Sequence, residues 1–200
     1  MNNYKPKPSQ RTLTQNKALH KLFQLWADAL NDAGKDMFTV LKDFVDIPWA
    51  DNTVKQYLWL PLLKNNDVAD AHEKLTEKLE PYIEVDLLPS IEEIMQVTLK
   101  KGLKIYFELI AKALNDAGHD MRGVLKTNTQ VWWDKDSVKE FLWRPIQVLQ
   151  LQKKSTTQLL TKEIDEVYDT VNRHLGKHID TIMFPSIEDI INERTYDKQK

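Results

Sequence analysis

The sequence predicts an all-α protein: two similar helical units from an internal duplication, joined by a long helix. Three observations carry this expectation. Glycine and proline are scarce, five and eight in 200 residues, which leaves long uninterrupted stretches and disfavours a turn-rich β fold. Apolar residues recur at three- and four-residue spacing, as in Leu19, Leu22, Phe23, Trp26, Leu30 and Ala33, the period of an amphipathic helix. Finally, the phrase ALNDAG occupies positions 29–34 and returns at 113–118.

The second phrase is one mark of a longer repeat. At a shift of 84, Asp36-Met37 meets Asp120-Met121, Trp49 meets Trp133, Leu58-Trp59 meets Leu142-Trp143, and Pro61 meets Pro145. Further on the shift is 96, where Pro89-Ser90-Ile91-Glu92 meets Pro185-Ser186-Ile187-Glu188. The second copy therefore holds about twelve extra residues, within LQLQKKSTTQLLTKE. A period this long, in only two copies, indicates a duplicated domain and not a solenoid. The expected layout is a flexible N-terminal segment 1–13, unit one at 14–97 and unit two at 98–196.

Each unit opens with a helix ending at Gly34 or Gly118, where a left-handed cap needs glycine. The Asn and Asp of the repeated phrase then read as last-turn surface residues. A short helical turn follows (DMFTVLK, DMRGVLK), then a loop holding Trp49 or Trp133. Asp51 and Asp136 are placed to cap the next helix, TVKQYLWLPLL or SVKEFLWRPI. Trp59 and Trp143 are expected as buried anchors of these helices, and Pro61 and Pro145 should kink or end them. The third element is DAHEKLTEKLEPYI or TKEIDEVYDTVNRHLG, the latter starting at Thr161 with Glu163 near its positive end. Between the units, 90–117 lacks proline and reads as one helix of about 40 Å. A break at Gly102, which costs roughly 1 kcal/mol in a helix, is the alternative.

Composition narrows the function. There is no cysteine, so no disulfide framework exists and a reducing cytoplasm is the expected home. MNNYKPKPSQR lacks the apolar core of a secretion signal, and LWLPLL is too short to span a bilayer. The net charge of −2 excludes a general polyanion binder. Residues 1–97 carry −4 and residues 98–200 carry +2, so any nucleic acid suits the second half better. No glycine-rich phosphate loop, G-x-S-x-G or HExxH motif is present, and neither catalytic residues, cofactor nor metal is expected. His174 and His178 share a helical spacing, but Gly176 between them favours a pair of surface histidines. Glu92/Glu93 and Glu188/Asp189 follow Pro-Ser and read as helix starts.

The tryptophans leave more open. Trp133 stands beside Trp132 in a loop near Arg122, Lys126, Lys135, Lys139 and Arg144. A flat ring among cations suits an unpaired base, a stacking contact worth roughly 1–3 kcal/mol. Packing of the loop against the core is the other use of Trp133.

Several stretches carry a resemblance. RTLTQNKALHKLF (11–23), DSVKEFLWRPIQ (136–147), KKSTTQLLTKEIDEVYDTVNRHLG (153–176) and the closing FPS (184–186) resemble, in order, the motifs of NinB/Orf-type phage recombination proteins. The resemblance implies a non-enzymatic accessory that binds single-stranded DNA, helps a recombinase or annealing protein displace single-strand-binding protein, and works as a homodimer. Two joined units would supply such a pair within one chain, with further homo-oligomerisation left open. Carried over residue by residue, it points to Arg11, Gln15 and Asn16, and to Lys153, Lys154, Ser155 and Thr156, a turn whose amides, hydroxyls and cations suit a phosphate. First-turn helix polarity accounts equally for Gln15 and Asn16. The rival reading is a phage-encoded interaction protein that binds and inhibits a host or defence protein, since tryptophan-rich helical surfaces suit protein partners too.

Overall fold

The computed structural model describes residues 13–42, 45–96, 98–126, 128–186 and 188. In chain order the helices are α1 (Leu13–Asp32), α2 (Met37–Val40), α3 (Asp51–Thr53), α4 (Leu60–Leu63), α5 (Val68–Leu79), α6 (Ile91–Met95), α7 (Leu99–Asp116), α8 (Met121–Val124), α9 (Lys135–Ser137), α10 (Arg144–Leu151) and α11 (Thr161–Leu175). Among the described residues there is no strand, and the protein is all-α. Leu13 already belongs to α1; the rest of the expected flexible segment, 1–12, lies outside the described residues, and Arg11 with it.

The repeated phrase closes a helix twice. Gly34 and Gly118 take φ of 66° and 77°. Lys35 N–H donates to the Leu30 carbonyl at 2.8 Å, and His119 N–H to that of Leu114 at 2.9 Å. This left-handed closure satisfies carbonyls that the helix end leaves open.

The helices carrying Trp59 and Trp143 are built alike. Ala50 and Asp134 stand at the N-caps, with Asp134 accepting from Ser137 N–H at 2.7 Å. Asp51 and Asp136 fall in the first turn and not at the cap as expected. Val54–Trp59 and Val138–Trp143 then form π-helical stretches, in which Leu60 N–H bonds Lys55 O and Arg144 N–H bonds Lys139 O. The prolines expected to kink or end these helices do not end them. The wider π turn makes room for the ring and asks no amide proton of Pro61 or Pro145, so each helix continues as α4 or α10.

The expected helix over 90–117 is two helices. Ser90 and Glu93 form a reciprocal cap on α6, as the Pro-Ser-Ile-Glu pattern indicated. The chain leaves α6 at Gln96 and re-enters helix at Leu99, so the break precedes Gly102. Gly102 has another task. A Cβ there would lie 2.2 Å from the Ile94 carbonyl oxygen, so the missing side chain lets α6 pack on α7.

Two compact units result, and their boundaries differ from 14–97 and 98–196. One is continuous, Asp43–Thr129; the other is discontinuous, Met1–Lys42 with Gln130–Lys200. In the continuous unit, α7 packs on α3 and the first π stretch, and α5 on α4 and the same stretch. Its core gathers Trp49, Leu58, Trp59, Leu75, Tyr106, Phe107 and Ile110. In the discontinuous unit, α1 packs on α9 and the second π stretch, and α11 on α10 and that stretch. Its core gathers Leu22, Phe23, Trp26, Trp133, Leu142, Trp143 and Val171. The opening helix of each sequence half thus packs with the later helices of the other half.

Candidate functional site

The polar letters of ALNDAG have a structural task that sequence reasoning missed. Asn31 accepts from Trp133 N–H and donates to the Trp133 carbonyl, both at 2.9 Å. Five residues on, Asp36 caps α2 through Thr39 N–H at 2.9 Å and accepts from Val131 N–H at 3.3 Å. Met37 N–H donates to Val131 O at 2.7 Å. An extended Val131-Trp132-Trp133 segment is thereby held along its backbone, as a neighbouring strand would hold it.

The continuous unit repeats the construction. Asn115 accepts from Trp49 N–H at 2.8 Å and donates to Trp49 O at 2.9 Å. Asp120 caps α8 through Gly123 N–H at 3.0 Å and accepts from Ile47 N–H at 3.4 Å. Met121 N–H donates to Ile47 O at 2.9 Å. The signal for this clamp was the repeated phrase itself. Its partner lies 102 positions away in one unit and 66 in the other, beyond any local pattern.

The clamp changes what Trp133 can do. Its ring is buried, 3 % exposed, and its Nε1–H donates to Lys35 O at 2.9 Å. Neither face is open to a base, so the stacking role expected of Trp133 does not fit this geometry. Trp132, 38 % exposed, is the ring that reaches the surface. Arg122 and Lys126 belong to the continuous unit. Arg122 is half-buried on α8, and Lys126 is exposed near Lys78, whose pKa burial and that cation lower.

Lys139, Arg144 and Lys153 are engaged within the discontinuous unit. Arg144 pairs with Glu140, which also lies 3.9 Å from Lys139. Lys153 pairs with Glu163 at 2.5 and 2.6 Å. Glu163 also accepts from Leu160 N–H at 2.7 Å, and that bond, then the Lys153 contact, holds its carboxyl below the usual value. Ser155 and Thr156 form a closed turn in which the Ser155 hydroxyl accepts from Thr157 N–H at 3.3 Å. Lys154 is exposed. Gln15 donates to Thr161 at 3.3 Å, and Asn16 is half-buried beside it in sequence.

His174 and His178 lie edge to face with centroids 6.3 Å apart. Burial lowers both pKa values; His178, Lys177 and Lys42 add to this at His174, and Lys35 and Lys177 at His178. Among the described residues no group of three or more His, Asp or Glu is placed to hold a metal, and no helix is long and apolar enough to cross a membrane.

Charge separates by unit more sharply than by sequence half. The discontinuous unit holds 18 Lys/Arg against 15 Asp/Glu, net +3; the continuous unit holds 10 against 15, net −5. On the acidic unit an open groove of about 670 Å³ runs beside α7. It is lined by Tyr82, Ile83, Leu87, Leu88, Leu109 and Ala113, together with Glu80, Glu84 and an Asp116–Lys112 ion pair. Leu87 is 77 % exposed and Leu109 39 %. Ile105, one helical turn before Leu109 and 42 % exposed, extends the apolar strip. The sequence reading passed over this groove because these leucines fit the same apolar spacing as core residues. No family model, curated protein or solved structure matches the chain, so the NinB/Orf resemblance stands on its sequence motifs alone.

Proposed function

We propose that the chain is a non-enzymatic interaction protein of a phage, acting in the host cytoplasm, whose acidic unit binds a partner protein through the groove beside α7. The observation that carries this is Leu87, Leu109 and Ile105 left open to water on a folded surface, with carboxylates in the groove. Water-exposed leucines beside a groove favour burial against an apolar partner surface. Groove carboxylates favour a partner segment whose flanks are basic. An amphipathic helix with leucines on one face and lysines beside them meets both needs. Inhibition of a host or defence protein is the use we assign to such binding. We also infer an internal duplication as the origin of the chain, since the same clamp recurs on residues related by the sequence repeat.

The second reading is the single-stranded DNA accessory implied by the resemblance. The +3 charge of the discontinuous unit, with Trp132, Lys135 and Lys154 exposed, supports it, while the engagement of Trp133, Arg144 and Lys153 weighs against it. One titration separates the two. A fluorescent Leu/Lys amphipathic peptide and a fluorescent thymidine oligomer are each added to wild type and to Leu109→Lys. Groove binding predicts peptide affinity that falls at least tenfold in the variant. Salt-sensitive binding of the oligomer, equal in both proteins, with no peptide binding, would favour the DNA reading.

A further inference from the structure

We propose that the discontinuous unit is an exchangeable joint: its head, residues 13–42, docks on the body, 130–186, of a second copy of this chain. In the resulting dimer each head closes the other chain's body. This goes beyond the proposed groove function and does not depend on it.

The joint is wholly non-covalent and long-range. Head and body meet through Asn31 on the Trp133 backbone, Met37 N–H on Val131 O at 2.7 Å, and Gln15 on Thr161 at 3.3 Å. Trp26 adds a bond to Asn172 at 3.4 Å and ring contacts with Trp143 and Tyr168 at 6.2 and 6.0 Å. Each contact joins a group of the head to a group of the body, so the same pairs are available between two chains.

The connection between head and body is itself folded. Residues 43–129 form the continuous unit and close their own clamp between Trp49 and Asn115. The head can therefore leave its body while the continuous unit keeps its own clamp. The pairing code is also present twice, an Asn amide and an Asp-Met pair on an Ile/Val-x-Trp segment. Both times it joins a head to a body from the other sequence half, so head and body are recognised without being neighbours in sequence. Exchange of identical elements makes dimers without new contacts, and here the only loss is the freedom of two chains, which concentration offsets. Because Phe23, Trp26 and Trp143 are buried, exchange requires opening and proceeds slowly.

The absence of cysteine gives a clean test in the full-length protein. Gln15→Cys and Thr161→Cys are made as separate variants and as a double variant. The two single variants are mixed, opened in intermediate urea, returned to native buffer at high protein concentration, and treated with a short bis-maleimide. The expected product is a covalent heterodimer linked through positions 15 and 161, scarce when refolding is dilute. The double variant should link within one chain in the monomer. Adding Asn31→Ala to both single variants should speed heterodimer formation about tenfold. A double variant that links internally while the mixture gives no 15–161 heterodimer at any concentration overturns the proposal. So does a dimer that forms without this link, or a double variant that fails to link at all.

Discussion

Asn31 and Asn115 each replace a water-exposed amide with two bonds to one residue's backbone. Removing either should leave a tryptophan's N–H and C=O without partners, at a cost of about 1–3 kcal/mol. Asn31→Ala and Asn115→Ala are accordingly expected to lower the urea midpoint by comparable amounts. Asn31→Asp, which keeps the acceptor and loses the donor, should fall between Asn31→Ala and wild type. A near-neutral Asn31→Ala would mean the clamp follows loop packing and does not fix it. At this scale the sequence was legible where burial is periodic: Trp59 and Trp143 point inward, 2 % and 0 % exposed, as helical spacing indicated. It was illegible where a polar residue's partner is remote. A last-turn Asn looks like surface until the segment it grips is known, and for the same reason the choice between stacking and packing stayed open for Trp133.

Among the elements, α6 and α7 make Gly102 the most informative position. An exposed helical Gly→Ala usually gains about 1 kcal/mol, but here the added Cβ meets a backbone oxygen at 2.2 Å, a partner with no rotamer to yield. Gly102→Ala should instead destabilise by about 1–3 kcal/mol, the usual range for overpacking, read from thermal or urea unfolding. The start of α11 gives a pH test. Glu163 is held below its ordinary value of 4.5, first by the Leu160 N–H bond and then by Lys153. Its contribution is present above pH 4.5 and lost as pH falls through the lowered value. Glu163→Gln should therefore be less stable than wild type at pH 7, with the gap closing below pH 4.5. A constant gap in urea midpoints from pH 7 to 3 would assign the helix start to something other than the charge. Helix identity was readable here from caps and periodicity. The division into α6 and α7 was not, because no proline marks it. The π stretches were hidden too, since no residue type marks an i→i+5 bond.

The whole molecule departs furthest from the order of its sequence. The repeat announces two equivalent halves, yet contacts group the opening helix of each half with the remainder of the other. Periodicity shows which face a helix buries but not which segment buries it, and the repeated Ile/Val-x-Trp pattern offers each head two candidate seats. The grouping predicts unequal fragments. Residues 43–129, contiguous and carrying both sides of their clamp, should show helical circular dichroism and a cooperative melt when expressed alone. Residues 130–200 should lack a cooperative melt until a 13–42 peptide is added. If 130–200 folds unaided, the head is an accessory to that unit and not a part of its core.

The placement of the head also sets an order of events during synthesis. Once α1 leaves the ribosome, its face of Leu22, Phe23, Trp26 and Leu30 must wait for Trp143, more than a hundred residues later. At the usual pace of about 5–20 residues per second, that wait is roughly 5–20 s. Ile47-Pro48-Trp49, the counterpart of the segment Asn31 finally holds, appears within the first moments of it. Two seats of matching pattern thus emerge in turn, and the one that emerges first is kept for α7.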